Sequence, residues 1–152
     1  MALSAKVFGD SYRVYTLLGD GELQEGEVWE ASMFASAKKL DNLCVIVDNN
    51  NLQIDGAIDE VNSPYPIDEK FKAFGFHVIN VNGHDFDDLR AAFAEAKTVK
   101  GQPTVIIMKT VKGKGVSFME NNAAWHGSAP NDEQYAVAMA DLEKVGEALC
   151  QK

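Results

Sequence analysis

Residues 43–47 read Leu43-Cys44-Val45-Ile46-Val47, a continuous apolar run that is followed by Asp48 and three asparagines. The run has the length of a β-strand, and unbroken apolar character is typical of a strand covered on both faces in a parallel sheet. Three further runs have strand length, are rich in β-branched residues and are bounded by Gly, Asp, Asn or Pro: 12–18, 77–81 and 104–108. The sequence therefore predicts a sheet of these four strands.

Segments with helical character separate and follow the strands. Residues 27–39 are rich in alanine and end in two lysines, which suit the negative end of a helix dipole. Residues 67–74 form a shorter helix stopped by Gly75, and residues 86–97 form an amphipathic one with Asp85 as N-cap. The last helix begins at Asn131, with Gln134 in capping-box position, and carries an apolar face of Tyr135, Ala138, Leu142, Val145 and Leu149. This alternation predicts right-handed βαβ units and an open, mostly parallel α/β sheet with helices on both faces.

Composition limits the class of protein. The chain has 152 residues without a linker or repeat, which predicts a single domain over 1–152. Acidic residues outnumber basic ones by 23 to 14, and the net charge of −9 argues against binding to nucleic acid or to an anionic membrane surface. We find no signal-peptide pattern and no apolar run long enough to span a membrane. Cys44 and Cys150 lie far apart, which predicts free thiols and a cytoplasmic location.

Candidate functional residues follow two of the predicted strands. The first strand ends in Leu18-Gly19-Asp20-Gly21-Glu22, and the second is followed by the asparagine run. Ligands of an open α/β sheet bind beyond the carboxyl ends of its strands, where glycines allow the backbone to approach a phosphate closely. A carboxylate and an amide oxygen at adjacent strand ends suit Mg²⁺ or Ca²⁺. Taken singly, Gly-Asp-Gly is most often only a turn and an asparagine run only a loop.

The combination is more specific than its parts. Gly19-Asp20-Gly21, then 27 residues, then Asn49-Asn50 resemble the thiamine diphosphate signature. Residues 22–31 and the later Ile54-Asp55-Gly56 and Trp125-His126-Gly127 resemble transketolase at matching places. The resemblance extends over essentially the whole chain, and it implies the thiamine diphosphate-binding fold.

The resemblance also implies roles for individual residues. Mg²⁺, or Ca²⁺ in its place, would be held by Asp20, the side-chain amide of Asn50 and the main-chain carbonyl of Leu52. The match to Ile54-Asp55-Gly56 selects Asn50 as the amide ligand rather than Asn49 or Asn51. Thiamine diphosphate would bind Gly21 through its N–H, with Gly19 and Glu22 beside it and Ile54 against the thiazolium region. His126 would lie between diphosphate and substrate, and Glu25 near the subunit contact, where the family links it to the partner's cofactor-activating glutamate.

Transketolase joins a diphosphate-binding module, a pyrimidine-binding module and a C-terminal domain, sometimes divided between two polypeptides. The chain resembles the later part of the first module, as in a split-type N-terminal subunit, which implies truncation at the N-terminus. The implied function is part of an oligomeric transferase of the pentose phosphate pathway, which moves a two-carbon ketol unit between sugar phosphates and is inactive without its partner module. The alternative is a non-catalytic α/β fragment that folds and associates without turnover. Both interpretations are consistent with the same residues. The chain could equally be a truncated product, a natural fragment or one subunit of an assembly.

Other candidates have simpler interpretations. A nicotinamide-binding domain is excluded because no Gly-x-Gly-x-x-Gly follows a strand. His77, at the start of an interior strand, is predicted to be structural, and His84 to cap or pack. Lys112 and Lys114 lie in a long loop, 110–130, of a kind that is usually functional or disordered, and could meet a substrate phosphate or simply be solvated. Trp29 and Met33 fit a packed helix face.

Overall fold

A computed structural model describes residues 1–150 and has the predicted α/β class. Its strands are β1 (Val14–Gly19), β2 (Leu43–Asn49), β3 (Leu52–Gln53), β4 (Gly56–Ala57), β5 (His77–Asn82) and β6 (Thr104–Lys109). Its helices are α1 (Ala2–Phe8), α2 (Gly26–Ala37), α3 (Ile58–Val61), α4 (Ile67–Ala73), α5 (Phe86–Thr98) and α6 (Asp132–Cys150). Short 3₁₀ turns span Gly21–Gln24 and Ala123–Trp125. The four predicted strands are therefore present, with boundaries shifted by one or two residues.

The main sheet has the order β1-β2-β6-β5, and every neighbouring pair is parallel. The prediction that His77 begins an interior strand is wrong, because β5 lies at an edge of the sheet. Its burial alternates accordingly: Ile79 is buried, whereas Asn80 and Asn82 are exposed. The side chain of His77 instead contacts Glu95 of α5, with 2.6 Å between Nε2 and Oε1.

Helices cover both faces of the sheet, as predicted. On one face the strand residues pack against α2 and α4, in a cluster that includes Val45, Val47, Val105, Ile107 and Phe71. On the other face a smaller cluster joins the strands to α5: Cys44, Ile79, Ile106, Ala92 and Ala96. Strands β2 and β6 contribute to both clusters, which explains their continuous apolar sequences.

The helix caps follow the sequence closely. The Asp85 carboxylate accepts hydrogen bonds from the N–H groups of Asp87 and Asp88 at the start of α5. The capping box before α6 is complete: Asn131 N–H donates to Gln134 Oε1 and Gln134 N–H donates to Asn131 Oδ1, both at 2.9 Å. Helix α2 ends earlier than predicted, because Lys39 has a φ of 51° and so leaves the helical region.

Two apolar surfaces are more open than the sequence suggested. Met33 is 53 % exposed, so its predicted packing is wrong, whereas Trp29 stacks on Phe74 and contacts the tilted ring of Phe71. The predicted apolar face of α6 is present, but only its Ala138 is buried.

Cys44 is a buried free thiol and Cys150 an exposed one, as predicted. Across residues 1–150, none of the helices combines the length and apolar character needed to cross a membrane.

Candidate functional site

The register of β1 and β2 brings the two predicted motifs together. Gly19 pairs with Asp48, and the pairing continues one step further through a 3.1 Å hydrogen bond from Asp20 N–H to the Asp48 carbonyl. The turn that follows β1 therefore lies beside the asparagine run that follows β2. This is the carboxyl edge of the sheet, where ligands of open α/β folds bind.

Asp20 is the buried centre of this edge, with only 1 % of its surface exposed. Its carboxylate accepts hydrogen bonds from Gly21 N–H at 3.0 Å and from Asn51 N–H at 2.5 Å. Burial raises the pKa of Asp20, and the nearby Asp48 raises it further, while the backbone hydrogen bonds oppose both effects. Within residues 1–150 it forms no ion pair with a lysine or arginine. A cation at this carboxylate would compensate both its burial and its charged neighbour.

The other two predicted metal ligands are Asn50, in the turn after β2, and Leu52, the first residue of β3. The Asn50 Oδ1 atom accepts a 3.1 Å hydrogen bond from Leu52 N–H, which fixes the amide beside the turn. The Ile58 N–H donates to the Asn51 carbonyl, which makes Asn51 and Ile58 a hydrogen-bonded pair. In an antiparallel hairpin such pairs alternate with pairs that form no hydrogen bonds between the strands, and the next pair, Leu52 and Ala57, is therefore of the second kind. The Leu52 carbonyl is therefore not used within the hairpin. Two-residue strands carry no detectable alternation, which is why the sequence did not reveal this hairpin.

All predicted site residues except Asp20 line one cleft of about 440 Å³. They are Gly19, Gly21, Glu22, Glu25, Asn50, Leu52, Ile54 and His126. Ile54 lies in the turn of the hairpin, and 74 % of its surface is exposed. Asp20 lies beneath this surface, and its carboxylate accepts hydrogen bonds from Gly21, which lines the cleft, and from Asn51 beside it.

His126 reaches the cleft because the long loop is folded back on itself. Gly113 has a φ of 74°, and a side chain there would come within 2.6 Å of the Met119 carbonyl oxygen. The Trp125 ring packs edge-on against Phe118, and its indole N–H donates to the Phe118 carbonyl. The loop is also tied to α6, since Asp141 accepts hydrogen bonds from Ser117 that lower the pKa of its carboxyl group.

Three of the predicted cofactor contacts, Gly19, Gly21 and Glu22, form hydrogen bonds within the protein. The Glu22 carboxylate accepts a 2.6 Å hydrogen bond from Gly19 N–H, so it braces the turn. The Gly21 N–H points to Asp20 Oδ1, and it would have to share or exchange this acceptor to meet a phosphate oxygen. Glu25 and His126 are exposed in the cleft.

Sequence reasoning missed several residues of the cleft. Asp48, Gln53 and Asp55 also line the cleft. Their positions next to predicted site residues in the sequence could have identified them. The structure also distinguishes the two lysines of the long loop: Lys112 lines the cleft, whereas Lys114 lies 3.4 Å from Glu120 in an ion pair.

Among residues 1–150 no three His, Cys, Asp or Glu side chains cluster as a metal site. The predicted ligand set contains a single carboxylate.

A cleft of about 440 Å³ lies at the carboxyl edge of a parallel sheet and is lined by the turns that follow β1 and β2. This arrangement is that of an open α/β domain, a class whose ligands bind beyond the strand ends. Comparison with known proteins gives the family. Residues 5–144 match the family described as transketolase, thiamine diphosphate binding domain, and the chain belongs to this family.

Similar proteins support the assignment. The chain is 42 % identical over 146 residues to the 6-deoxy-6-sulfo-D-fructose transketolase subunit SqwG of Clostridium sp. (strain MSTE9), covering 96 % of this chain and 53 % of that protein. It is 40 % identical over 149 residues to an apulose-4-phosphate transketolase subunit of Phocaeicola vulgatus, covering 98 % and 53 %. The structure matches transketolase from Campylobacter jejuni with a TM-score of 0.83 and 34 % identity, covering 88 % of this chain and 21 % of that one. The chain thus spans about half the length of these two curated relatives.

Substitutions in the asparagine run should separate side-chain from backbone roles. Asn50→Ala removes an amide oxygen at the cleft and is expected to weaken Mg²⁺-dependent binding of thiamine diphosphate. Asn51 offers its N–H to Asp20 and has a φ of 64°, so Asn51→Gly should bind normally. Asn51→Ala should also bind but should lower the free energy of unfolding by about 1 kcal/mol, because alanine is strained at positive φ. Cofactor titration and urea unfolding measure the two effects, and equal losses of binding at both positions would contradict this register.

Proposed function

We propose that this chain is the diphosphate- and magnesium-binding part of a transketolase, which transfers a two-carbon ketol unit between sugar phosphates. The observation that supports this most strongly is the convergence of the predicted site residues on one cleft above the buried Asp20. Family membership supports the cofactor, and the curated relatives named transketolase subunits support the class of reaction. The sugar substrates and the pentose phosphate pathway are part of the proposal.

The donor set fits a magnesium ion. Asp20 offers the one formal negative charge, Asn50 an amide oxygen, and Leu52 a carbonyl that the hairpin leaves free. Mg²⁺ takes oxygen ligands and is commonly shared with phosphate groups, so these three leave coordination positions for a diphosphate. The ion would also reduce the repulsion between an anionic cofactor and a chain with a net charge of −9.

The remaining cleft residues would bind and orient the cofactor and the substrate. Thiamine diphosphate supplies the carbon nucleophile of the reaction when it is bound. Gly21 allows its phosphates to approach the backbone, and Ile54 offers an apolar contact at the mouth of the cleft. His126, exposed in the cleft, would donate a hydrogen bond from its ring to a phosphate or substrate oxygen. Glu25 would share a proton with a carboxyl group of the partner module.

The proposal includes a partner that carries the pyrimidine-binding and C-terminal modules. Exposed apolar residues support it, since patches of this kind mark interaction surfaces: Leu17, Met33 and Phe34 on β1 and α2, and Tyr135, Leu142 and Leu149 on α6. The two curated relatives are named as transketolase subunits, which gives the same indication. We further propose that the assembly is oligomeric and cytoplasmic.

A substitution at Glu25 tests the catalytic part of the proposal. In the assembled complex, Glu25→Gln should reduce ketol transfer by about 100-fold, a loss typical of a residue that supports proton transfer, with little change in cofactor affinity. Glu30→Gln is the matched control, because Glu30 is an exposed glutamate of α2 outside the cleft. Equal activity of both variants would remove Glu25 from the mechanism. A complex with no turnover at all would favour the non-catalytic alternative.

A further inference from the structure

His84 makes a hydrogen bond that ties the end of β5 to the start of the long loop. The N–H of Val111 donates to His84 Nε2 with a distance of 2.8 Å. A backbone N–H can only donate, so Nε2 is the acceptor and the imidazole carries its proton on Nδ1. The ring therefore acts as a neutral clamp on the backbone of Val111.

The backbone around His84 packs against the end of β6 and the first residue of the long loop. Gly83 N–H donates to the Lys109 carbonyl at 2.9 Å, and His84 N–H donates to Asn82 Oδ1 at 3.0 Å. A side chain on Gly83 would come within 2.5 Å of Thr110 Cγ2. Gly83 therefore allows the turn to pack closely against Thr110, next to the residue that His84 contacts.

The residue after Val111 is Lys112, which lines the cleft. Its carbonyl accepts a hydrogen bond from Asn121 N–H at 3.0 Å, so the backbone is fixed on both sides of this lysine. Lys112 shares the cleft with four carboxylate residues, Glu22, Glu25, Asp48 and Asp55. It nevertheless forms no ion pair with any carboxylate in the part of the chain that the structure describes. A half-buried lysine in this position is free to bind an anion.

We propose that His84 is a positioning residue that, through the Nε2 bond to Val111, places Lys112 in the cleft as a cationic contact for the phosphorylated cofactor or substrate. The proposal rests on the proposed function for the identity of the anion. It assigns His84 no contact with the ligand. The connection between His84 and the ligand runs through two consecutive residues, Val111 and Lys112.

The test compares two substitutions of His84 in the assembled complex. Glutamine places an amide oxygen where Nε2 lies and can accept the Val111 N–H, whereas leucine cannot. His84→Leu should speed amide exchange at Val111 by about tenfold, which corresponds to about 1.4 kcal/mol, within the range for the loss of one hydrogen bond, and His84→Gln should restore protection. His77→Leu and His77→Gln are matched controls at the other end of β5, and neither should alter Val111 exchange.

The second measurement is the affinity for thiamine diphosphate in the presence of Mg²⁺. Lys112→Met should weaken binding about tenfold, because a charge-assisted contact is lost, and His84→Leu should weaken it about threefold. If His84 acts through Lys112, the double variant should be no weaker than Lys112→Met alone. Losses that multiply, or unchanged Val111 exchange in His84→Leu, would overturn the proposal. If the unmodified complex does not bind the cofactor, the proposed function is overturned, and so is the role of Lys112 toward that ligand. The exchange data test the hydrogen bond between His84 and Val111 independently of cofactor binding.

Discussion

Asp20→Ala is expected to abolish the Mg²⁺-dependent binding of thiamine diphosphate. Asp20 offers the one formal charge among the three proposed ligands, and a hard divalent cation depends strongly on that charge. Asn50 is neutral, and water can replace part of its contribution, so its loss should be smaller. The measurement is cofactor binding at fixed Mg²⁺ in the assembled complex.

Asp20→Ala should also destabilise the fold, so control variants are needed to distinguish this effect from the loss of the metal ligand. Without the carboxylate, the N–H groups of Gly21 and Asn51 lose their acceptor, which should lower the free energy of unfolding by about 1–3 kcal/mol for each group left unpaired. Asp20→Asn keeps the shape and one acceptor oxygen, so it should fold better than alanine and still fail to bind the metal. Asp55→Ala, a carboxylate exposed in the same cleft, should bind normally. Normal binding in both Asp20 variants would show that the metal site has been misplaced.

The chain alone should show no ketol transfer, and activity should appear when a chain carrying the pyrimidine-binding module is added. The cleft contains groups for a metal ion and a diphosphate, but the glutamate that activates the cofactor belongs, in the family, to the other module. Loss of a residue that assists proton transfer typically costs a factor of about 10² to 10⁴, and the absence of the whole module should cost more.

The assay is transfer from a ketose phosphate to an aldose phosphate by the purified chain, by the partner and by the mixture. A mixture that contains the Asp20→Asn variant provides the matched control, because the partner is unchanged while the metal site is lost. Turnover by the purified chain alone would refute the dependence on a partner.

The parallel sheet and the helix caps could be predicted because each depends on local sequence. The continuous apolar run at 43–47 required cover on both faces, and the structure places it second in the sheet, between β1 and β6. The capping box of Asn131 and Gln134 involves residues three positions apart, so its hydrogen bonds follow from the sequence directly.

Features that depend on distant parts of the chain could not be read in the same way. The edge position of β5 follows from the order in which strands pair, and His77 gave no sign of it. The burial of Asp20 and the choice of Lys112 over Lys114 at the cleft depend on the folding of the turns and of the long loop. The Gly-Asp-Gly and asparagine motifs indicated a site, but only the register of β1 with β2 shows how they meet.

Calorimetric titration of thiamine diphosphate into the chain together with its partner tests the central proposal most directly. It should be run with Mg²⁺, with a chelator in its place, and with thiamine lacking the diphosphate. If this chain supplies the metal and diphosphate half of the site, binding should require Mg²⁺, thiamine should bind weakly, and inorganic diphosphate should compete. Equal affinity with and without Mg²⁺, or equal affinity for thiamine and its diphosphate, would contradict the account.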